Sequence, residues 1–110
     1  MSNIVLTEAH YYILLSLYQP LHGYGIMQNV EAMSKGRVTL AAGTLYGALN
    51  ALQDKGWIVA LDVEKNSRKK EYKITSEGQE VVEHEIERLS ELYTNGKKIL
   101  GGLENGKDSL

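Results

Sequence analysis

The chain of 110 residues contains no cysteine, so it can form neither a disulfide framework nor a zinc site with thiolate ligands. Long apolar runs are also missing, because the longest unbroken ones, such as residues 11–15, are far too short to span a membrane. The first seven residues carry no basic flank and no long apolar core, so we expect no signal peptide. Together these absences predict a cytoplasmic protein without a membrane segment.

Residue patterns typical of enzymes and cofactor sites are missing as well. The sequence has no Ser/His/Asp or Cys/His set, no phosphate-binding glycine loop and no cluster at metal-ligand spacing. A chain of this length can build one domain with a modest core, but not a large catalytic cavity beside its scaffold. We therefore predict no enzymatic activity, no cofactor and no metal ion.

Charge is unevenly distributed along the chain. The formal net charge is −2, yet residues 1–75 carry 8 basic and 6 acidic side chains, whereas residues 76–110 carry 4 basic and 8 acidic ones. Five of the twelve basic residues lie between Lys65 and Lys73. Because binding to phosphates depends on the local potential rather than on the total charge, this segment can bind nucleic acid.

Apolar periodicity and turn residues predict the order of the secondary structure. Thr7 is placed to cap the first helix, Pro20 ends it, and Gly36 and Gly56 are stop signals for the next two helices. Ser76 with Gln79 fits a capping box for the last helix. The predicted elements are helices over 7–19, 22–33 and 42–55, a brief strand over 37–40, strands over 57–64 and 71–75, and a helix from Thr75 or Ser76.

The third helix has two unlike faces. Leu45, Leu49 and Leu52 form one apolar stripe that can pack in a core, and the opposite side is small and polar. A helix with a small, polar face can enter the major groove of DNA, which is wide enough to admit it. The residues that we expect to contact DNA from this helix are Thr44, Tyr46, Gly47 and Asn50.

A polar segment between the two long strands predicts a β-hairpin with a basic tip. At such a tip, after a helix of this kind, contact with the DNA backbone is a better interpretation than a solvated turn. The elements together predict a mainly α (α+β) fold, a winged helix-turn-helix over 1–75 followed by a dimerisation helix and frayed tail over 76–110. The tip residues expected at the DNA are Lys65, Asn66, Arg68, Lys69 and Lys70.

The last helix carries apolar residues at alternating spacings of four and three, which is the heptad pattern of a coiled coil. A lone helix with this stripe would expose apolar surface, so we predict a homodimer. Gly96 occupies the one seam position without a side chain. The predicted seam consists of Val82, Ile86, Leu89, Tyr93, Leu100 and Leu103.

Four blocks of sequence, in this order, resemble the PadR family of bacterial transcriptional regulators. They are residues 22–26 (HGYGI), 43–49 (GTLYGAL), 52 with 55–58 (L and KGWI), and 68–78 (RKKEYKITSEG). The resemblance extends from about residue 6 to residue 103. It implies a dimeric winged-helix regulator, in most members a repressor, that binds a pseudo-palindromic operator in double-stranded DNA. The single C-terminal helix is similar to the smaller subfamily, which includes multidrug sensors.

The sequence departs from the family at two positions. Gly47 stands where the family often has proline, and Tyr93 stands where drug-sensing members often have tryptophan. In the seam, Tyr93 is large and Gly96, three positions on, has no side chain, so we expect room at the dimer axis for a planar, apolar effector that releases the repressor from DNA. The alternative is that Tyr93 packs on its symmetry mate and Gly96 allows close approach of the helices.

Other assignments have two interpretations. Tyr24 is expected in the core, Tyr46 is open between packing and phosphate contact, and His22 is placed to bond the end of a helix. Six acidic residues between 77 and 91 are expected to form an exposed helix face, with His84 solvated on it. The alternative function is a winged-helix protein-interaction module without DNA binding, although such a module has no need of the basic tip.

Overall fold

The computed structural model of the protein describes residues 4–62 and 70–105, with side chains described at residues 4–61 and 70–102. These residues form four helices and a small three-stranded antiparallel sheet. The order confirms the predicted mainly α winged helix-turn-helix with a long C-terminal helix. The elements are α1 (Glu8–Ser16), β1 (Leu21–His22), α2 (Gly23–Met33), α3 (Ala42–Asp54), β2 (Ile58–Asp62), β3 (Lys70–Ile74) and α4 (Ser76–Asn105).

The signals at Thr7, Gly36 and Gly56 are confirmed, but α1 ends at Ser16, before Pro20, because the N–H groups of Leu17 and Tyr18 bond carbonyls only three residues back. The hydroxyl of Thr7 accepts a hydrogen bond of 3.0 Å from the backbone N–H of His10, which caps α1. Gly36 and Gly56 follow α2 and α3 with φ of 81° and 80°. This left-handed conformation costs glycine little, so the chain can turn away sharply at both helix ends.

The brief strand predicted over residues 37–40 is wrong. The third strand of the sheet is β1, which pairs with β3 in the register Leu21 with Tyr72 and His22 with Glu71. Residues 38–41 have no regular structure, because the hydroxyl of Ser34 binds the segment locally. That hydroxyl accepts a bond of 2.9 Å from the N–H of Val38 and donates one of 3.4 Å to its carbonyl.

The cap of α4 also differs from the prediction. Thr75, not Ser76, is the capping residue, because its hydroxyl accepts a 3.0 Å bond from the N–H of Gly78. The same hydroxyl donates a 2.7 Å bond to the carbonyl of Gly56, and the N–H of Thr75 donates a 2.9 Å bond to that of Trp57. The last two of these bonds link the start of α4 to the turn that follows α3.

The core lies between the three short helices, the sheet and the first turns of α4. The stripe of Leu45, Leu49 and Leu52 on α3 is fully buried, as predicted. Among the described residues, no helix is both long and apolar enough to cross a membrane. The other buried apolar side chains are Ile13, Leu14, Leu17, Ile26, Val30, Leu40, Ile58, Tyr72, Ile74, Val81 and Val82.

Candidate nucleic-acid interface

The face of α3 that points away from the core is open to solvent. Thr44, Gly47 and Asn50 are all exposed on it. A methyl group built on Gly47 or on Gly43 would meet no atom of the protein within 4 Å. Internal packing therefore does not require glycine at either position, although glycine in a helix costs about 1 kcal/mol relative to alanine.

The first turn of α3 lacks a side-chain cap. The N-cap residue is Ala41, whose methyl side chain cannot accept a hydrogen bond from the first N–H groups of the helix. Those N–H groups and the helix dipole create a local positive potential at this end. The end of α3 that precedes Thr44 is therefore suited to an anion such as a phosphate group.

Tyr46 packs against the body of the protein on one side and is exposed on the other. Its hydroxyl lies so close to Gly23, the first residue of α2, that any side chain at position 23 would collide with it. At the same time 46% of Tyr46 remains exposed. The tyrosine therefore packs against α2 and still presents surface beside α3.

Two other expectations about α2 are wrong. Tyr24 was expected in the core, but it is 64% exposed on the surface of the helix. His22 is the N-cap residue of α2, but its side chain makes no capping hydrogen bond. It is also the last residue of β1, where its backbone pairs with Glu71.

The β-hairpin formed by β2 and β3, which we call the wing, is described only at its base. Lys70, which begins β3, and Lys73 are exposed. The predicted DNA contacts Lys65, Asn66, Arg68 and Lys69 lie outside the described residues. The two described strands of the hairpin carry two lysines and two acidic residues, Asp62 and Glu71, so their formal charges balance.

The predicted seam of α4 divides into a buried and an exposed part. Val82 is 1% exposed and belongs to the core of its own chain, so it offers no surface to a partner. From Ile86 onward the helix carries a wide band of exposed apolar side chains, which we name the α4 band. Its members are Ile86, Leu89, Leu92, Tyr93, Ile99 and Leu100.

Two members of the α4 band were missed by the heptad prediction. Leu92 and Ile99 are 53% and 61% exposed, and each lies one position before a predicted seam residue. The sequence contains the pattern that predicts both residues. Leu92 and Ile99 belong to a second series of positions spaced three and four residues apart, and Leu89 belongs to both this series and the predicted seam. Leu103 lies in α4, but outside the residues whose side chains are described.

The predicted effector position has space around it within one chain. Tyr93 is 68% exposed, and a methyl group built on Gly96 would meet nothing within 4 Å. Tyr93 lines neither a cavity of about 330 Å³ between α1 and α4 nor a smaller one near Trp57. A pocket at Tyr93 would therefore need walls from a second chain.

Glu85 is an exception to the predicted exposed acidic face of α4. It is 3% exposed, and its carboxylate accepts bonds of 2.9 and 2.7 Å from the guanidinium of Arg88. A third bond, of 3.3 Å, comes from the backbone N–H of Leu6. The bond from Arg88 holds the pKa of Glu85 below its ordinary value although burial acts in the opposite direction.

The described residues contain no group of three or more histidine, aspartate and glutamate side chains that could hold a metal ion. The described surface therefore offers hydrogen-bonding side chains, a helix N-terminus and an apolar band. Such groups can bind a macromolecule, and comparison with known proteins indicates the kind of macromolecule.

Solved structures with the same fold are transcription regulators. One is a PadR family transcription regulator from Clostridium difficile R20291, with 21% identity and a TM-score of 0.71 over 86% of this chain and 99% of that chain. Another is a PadR family regulator from Eggerthella lenta DSM 2243, with 23% identity and a TM-score of 0.63 over 89% of this chain and 82% of that chain.

A third structure is that of Bacillus subtilis PadR in complex with operator DNA, with 25% identity and a TM-score of 0.57. The match covers 67% of this chain and 44% of that one. No curated protein matches the sequence significantly. The family described as transcriptional regulator PadR-like matches residues 13–84, which is most of the chain. The chain therefore belongs to the PadR-like family of transcriptional regulators.

Proposed function

We propose that this protein is a sequence-specific DNA-binding repressor that acts as a homodimer. The observation that carries the proposal is the exposed face of α3, where Gly43 and Gly47 are not required by packing. Glycine at such positions weakens the isolated helix, and contact with another molecule would explain its presence. A helix backbone that lies close to another molecule gains from the missing side chains.

The major groove of DNA fits this face. A helix can enter the groove with the first residues of its recognition face near the base edges. Thr44 and Asn50 would read bases or bind phosphates, and Tyr46 would reach the adjacent backbone. The uncapped N-terminus of α3 would receive a phosphate group. The structure of Bacillus subtilis PadR, which is similar to this chain, is a complex with operator DNA, and this supports DNA as the partner.

The wing would add affinity that does not depend on sequence. Lys70 is exposed at the base of the hairpin, and the sequence places Lys65, Asn66, Arg68 and Lys69 in the segment before it. Lysine and arginine contacts to phosphates release counterions and give binding its dependence on salt. This local basic segment supports DNA binding despite the net charge of −2.

The α4 band would form the dimer interface. Six exposed apolar side chains on one helix are costly in a monomer, and a second copy of the same helix can cover them. A two-fold dimer presents two copies of α3, which matches a pseudo-palindromic operator with half-sites about 34 Å apart. Val82 is excluded from this interface, because it is buried in its own chain.

The dimer proposal is tested with Leu89→Asp. Leu89 is 39% exposed and shared by both apolar spacings of α4, so a buried aspartate there would be strongly unfavourable in the dimer and tolerated in the monomer. We expect a monomer by sedimentation equilibrium and loss of operator binding. The control is Glu87→Asp, an exposed position on the same helix outside the α4 band. A wild-type protein that is monomeric at micromolar concentration would contradict the proposal.

We further propose that a planar apolar effector releases the repressor by binding beside Tyr93. Tyr93 offers an exposed aromatic ring, and Gly96 leaves the next seam position empty. In a dimer, these two features leave space at the two-fold axis that suits a flat ligand. Binding there would change the angle between the subunits and with it the distance between the two copies of α3.

The experiment that tests the function is selection of binding sites from random duplex DNA. We expect the wild-type protein to enrich a pseudo-palindromic consensus. Asn50→Ala should lower the information at specific positions of that consensus, because losing a base contact costs about 1–3 kcal/mol. The matched control is Asn29→Ala, which removes the same exposed amide from α2.

Two results would count against DNA reading by α3. If Asn50→Ala returned the wild-type consensus unchanged, Asn50 would not read sequence. If no duplex were enriched and binding stayed equally weak for all sequences, the chain would instead be a winged-helix protein-interaction module.

A further inference from the structure

A small cavity lies between the turn that follows α3 and the first turns of α4. Its volume is about 170 Å³. The cavity is open to solvent on one side. A closed cavity of roughly 150 Å³ binds benzene, so this one has room for a single ring or a group of similar size without enclosing it. It is lined by Ile4, Trp57, Glu77, Glu80, Val81 and His84.

The lining joins an apolar wall to an acidic rim. Ile4, Val81 and the indole of Trp57 supply the wall, and the carboxylates of Glu77 and Glu80 are exposed at the rim. Neither lysine nor arginine is among the lining residues. An anion would therefore be repelled, whereas a cation would gain from both carboxylates.

Trp57 contributes an aromatic ring to the wall. The ammonium of Lys55 lies 4.9 Å from the centre of this ring, so a cation-binding position on the indole is taken by the chain's own lysine. The positive charge of a ligand would therefore be attracted by Glu77 and Glu80 and opposed by Lys55, and the indole would contact the apolar part of the ligand. A ligand that combines a positive charge with apolar bulk would match the rim and the wall at once.

We propose that this cavity binds a small organic ammonium ion, with one ring or a compact alkyl group. The charged nitrogen would lie at the rim near Glu77 and Glu80, and the apolar part would lie against Trp57 and Val81. The site is separate from the position of Tyr93, which does not line this cavity.

The cavity lies at the joint between α3 and α4. Trp57 comes directly after Gly56, and both of their carbonyls are bound by Thr75, the cap of α4. A methyl group on Gly78 would collide with the carbonyl of Trp57 and lie 2.7 Å from Cγ1 of Ile74, so the joint is closely packed. A ligand wedged between Trp57 and Glu80 would act on the angle between the two helices.

This location gives the ligand a role in regulation. In the proposed dimer, the angle between α3 and α4 sets the distance between the two copies of α3, the helices that would read the DNA. Occupation of the cavity would therefore change operator affinity. That second step rests on the proposed function, whereas binding of the cation does not.

The binding step is tested by titration of the intrinsic fluorescence of Trp57, the only tryptophan in the chain. The probe is benzyltrimethylammonium chloride, compared at constant ionic strength with neutral 2-methyl-1-phenyl-2-propanol and with benzylsulfonate. We expect saturable binding of the cation with Kd on the order of 0.1–1 mM, as suits a ligand of this size. The neutral compound should bind about tenfold more weakly, and the anion should not bind.

Charge variants on α4 separate a specific site from general attraction. Glu77→Gln with Glu80→Gln removes both rim carboxylates and should weaken binding of the cation about tenfold, because both charges lie close to the ligand. The matched control is Glu83→Gln with Glu87→Gln, which makes the same change in net charge at exposed positions outside the cavity. Equal affinity for the cation and the neutral compound, or equal loss in the two double variants, would overturn the site.

The regulatory step is tested separately with the selected operator. Saturating benzyltrimethylammonium should change operator affinity at least threefold in the wild type and not in the rim variant. An unchanged operator affinity with the cavity filled would overturn the regulatory step. Failure of the protein to bind any operator in the absence of the cation would instead refute the proposed function, while the fluorescence titration would still decide whether the cation site exists.

Discussion

Replacement of Gly47 by alanine should affect folding and DNA binding in opposite directions. Gly47 lies inside α3, is exposed, and does not have the positive φ found at Gly36 and Gly56. A methyl group built on it meets no protein atom within 4 Å. The substitution therefore creates no clash in the free protein, and it removes the entropic cost of a glycine in a helix.

The stability gain follows from helix propensity. Alanine is favoured over glycine in a helix by about 0.5–1 kcal/mol. For a chain of this size that gain corresponds to an increase in Tm of about 3–6 °C. Operator affinity should fall at least tenfold, which is about 1.4 kcal/mol, because the added methyl group would separate the backbone of α3 from the groove.

Both quantities are measurable on one preparation. Thermal unfolding is followed by circular dichroism at a fixed protein concentration, since the stability of a dimer depends on concentration. Operator binding is followed by fluorescence anisotropy at a fixed salt concentration. Gly101→Ala is the control, because a methyl group built on this residue of α4 also meets nothing within 4 Å, far from the DNA-facing side of α3. We expect the control to leave operator affinity unchanged.

Either of two outcomes would refute the reasoning. A Gly47→Ala protein that is more stable and binds its operator as tightly as the wild type would show that this face of α3 does not approach DNA closely. A Gly47→Ala protein that is less stable than the wild type would show that the space around Gly47 is not open.

Two further variants test contacts of α4. Glu85→Gln should lower the free energy of unfolding at pH 7 by about 1–2 kcal/mol, because the amide is a poorer partner for Arg88 than the carboxylate. The pKa of Glu85 is lowered in the folded protein, so its contribution is present above the unfolded pKa and lost as the pH falls through the folded one. Denaturant titrations from pH 7 to strongly acidic pH should therefore show the two proteins converging, and a constant gap would contradict the ion pair. Gly78→Ala should destabilise the protein by about 1–3 kcal/mol, since its methyl group would collide with the carbonyl of Trp57. A melting temperature equal to that of the wild type would count against the close packing at this joint.

Short-range features of the sequence predict the helices, but they do not predict the third strand of the sheet. Thr7, Gly36 and Gly56 determine helix ends through bonds and dihedral angles within a few residues, so a single sequence reveals them. Strand β1 has two residues and pairs with β3, which is about fifty positions away. A two-residue strand is too short to show the alternation of apolar and polar residues that predicts a strand. Val38 and its neighbours have the composition of a strand, but they pair with no other strand among the described residues.

The same limit applies to the functional surface: features set by nearby residues are predictable from the sequence, and features set by distant residues are not. The apolar stripe of α3 has a helical period, and its opposite face was therefore predictable. Glu85 is one of six acidic residues between positions 77 and 91, and no sequence feature distinguishes it from the exposed ones. Its burial depends on the backbone N–H of Leu6, which is 79 residues away. Val82 illustrates a related limit, because a heptad pattern cannot tell whether an apolar residue is covered by its own chain or by a partner.

The division of α4 into two parts would let the fold connect the proposed dimer interface to α3. The first turns carry Val81, Val82 and Glu85, which are buried against the winged domain, and the remaining turns carry the α4 band. A helix of 30 residues is about 45 Å long, so a tilt of about 5° at its base moves its far end by about 4 Å. In the proposed dimer, half-sites on DNA would be separated by about 34 Å, so a displacement of this size would matter for simultaneous docking of the two copies of α3. If the dimer forms as proposed, rearrangement of the contacts made by Thr75, Gly78 and Glu85 at the base of α4 would change operator affinity most for the least movement.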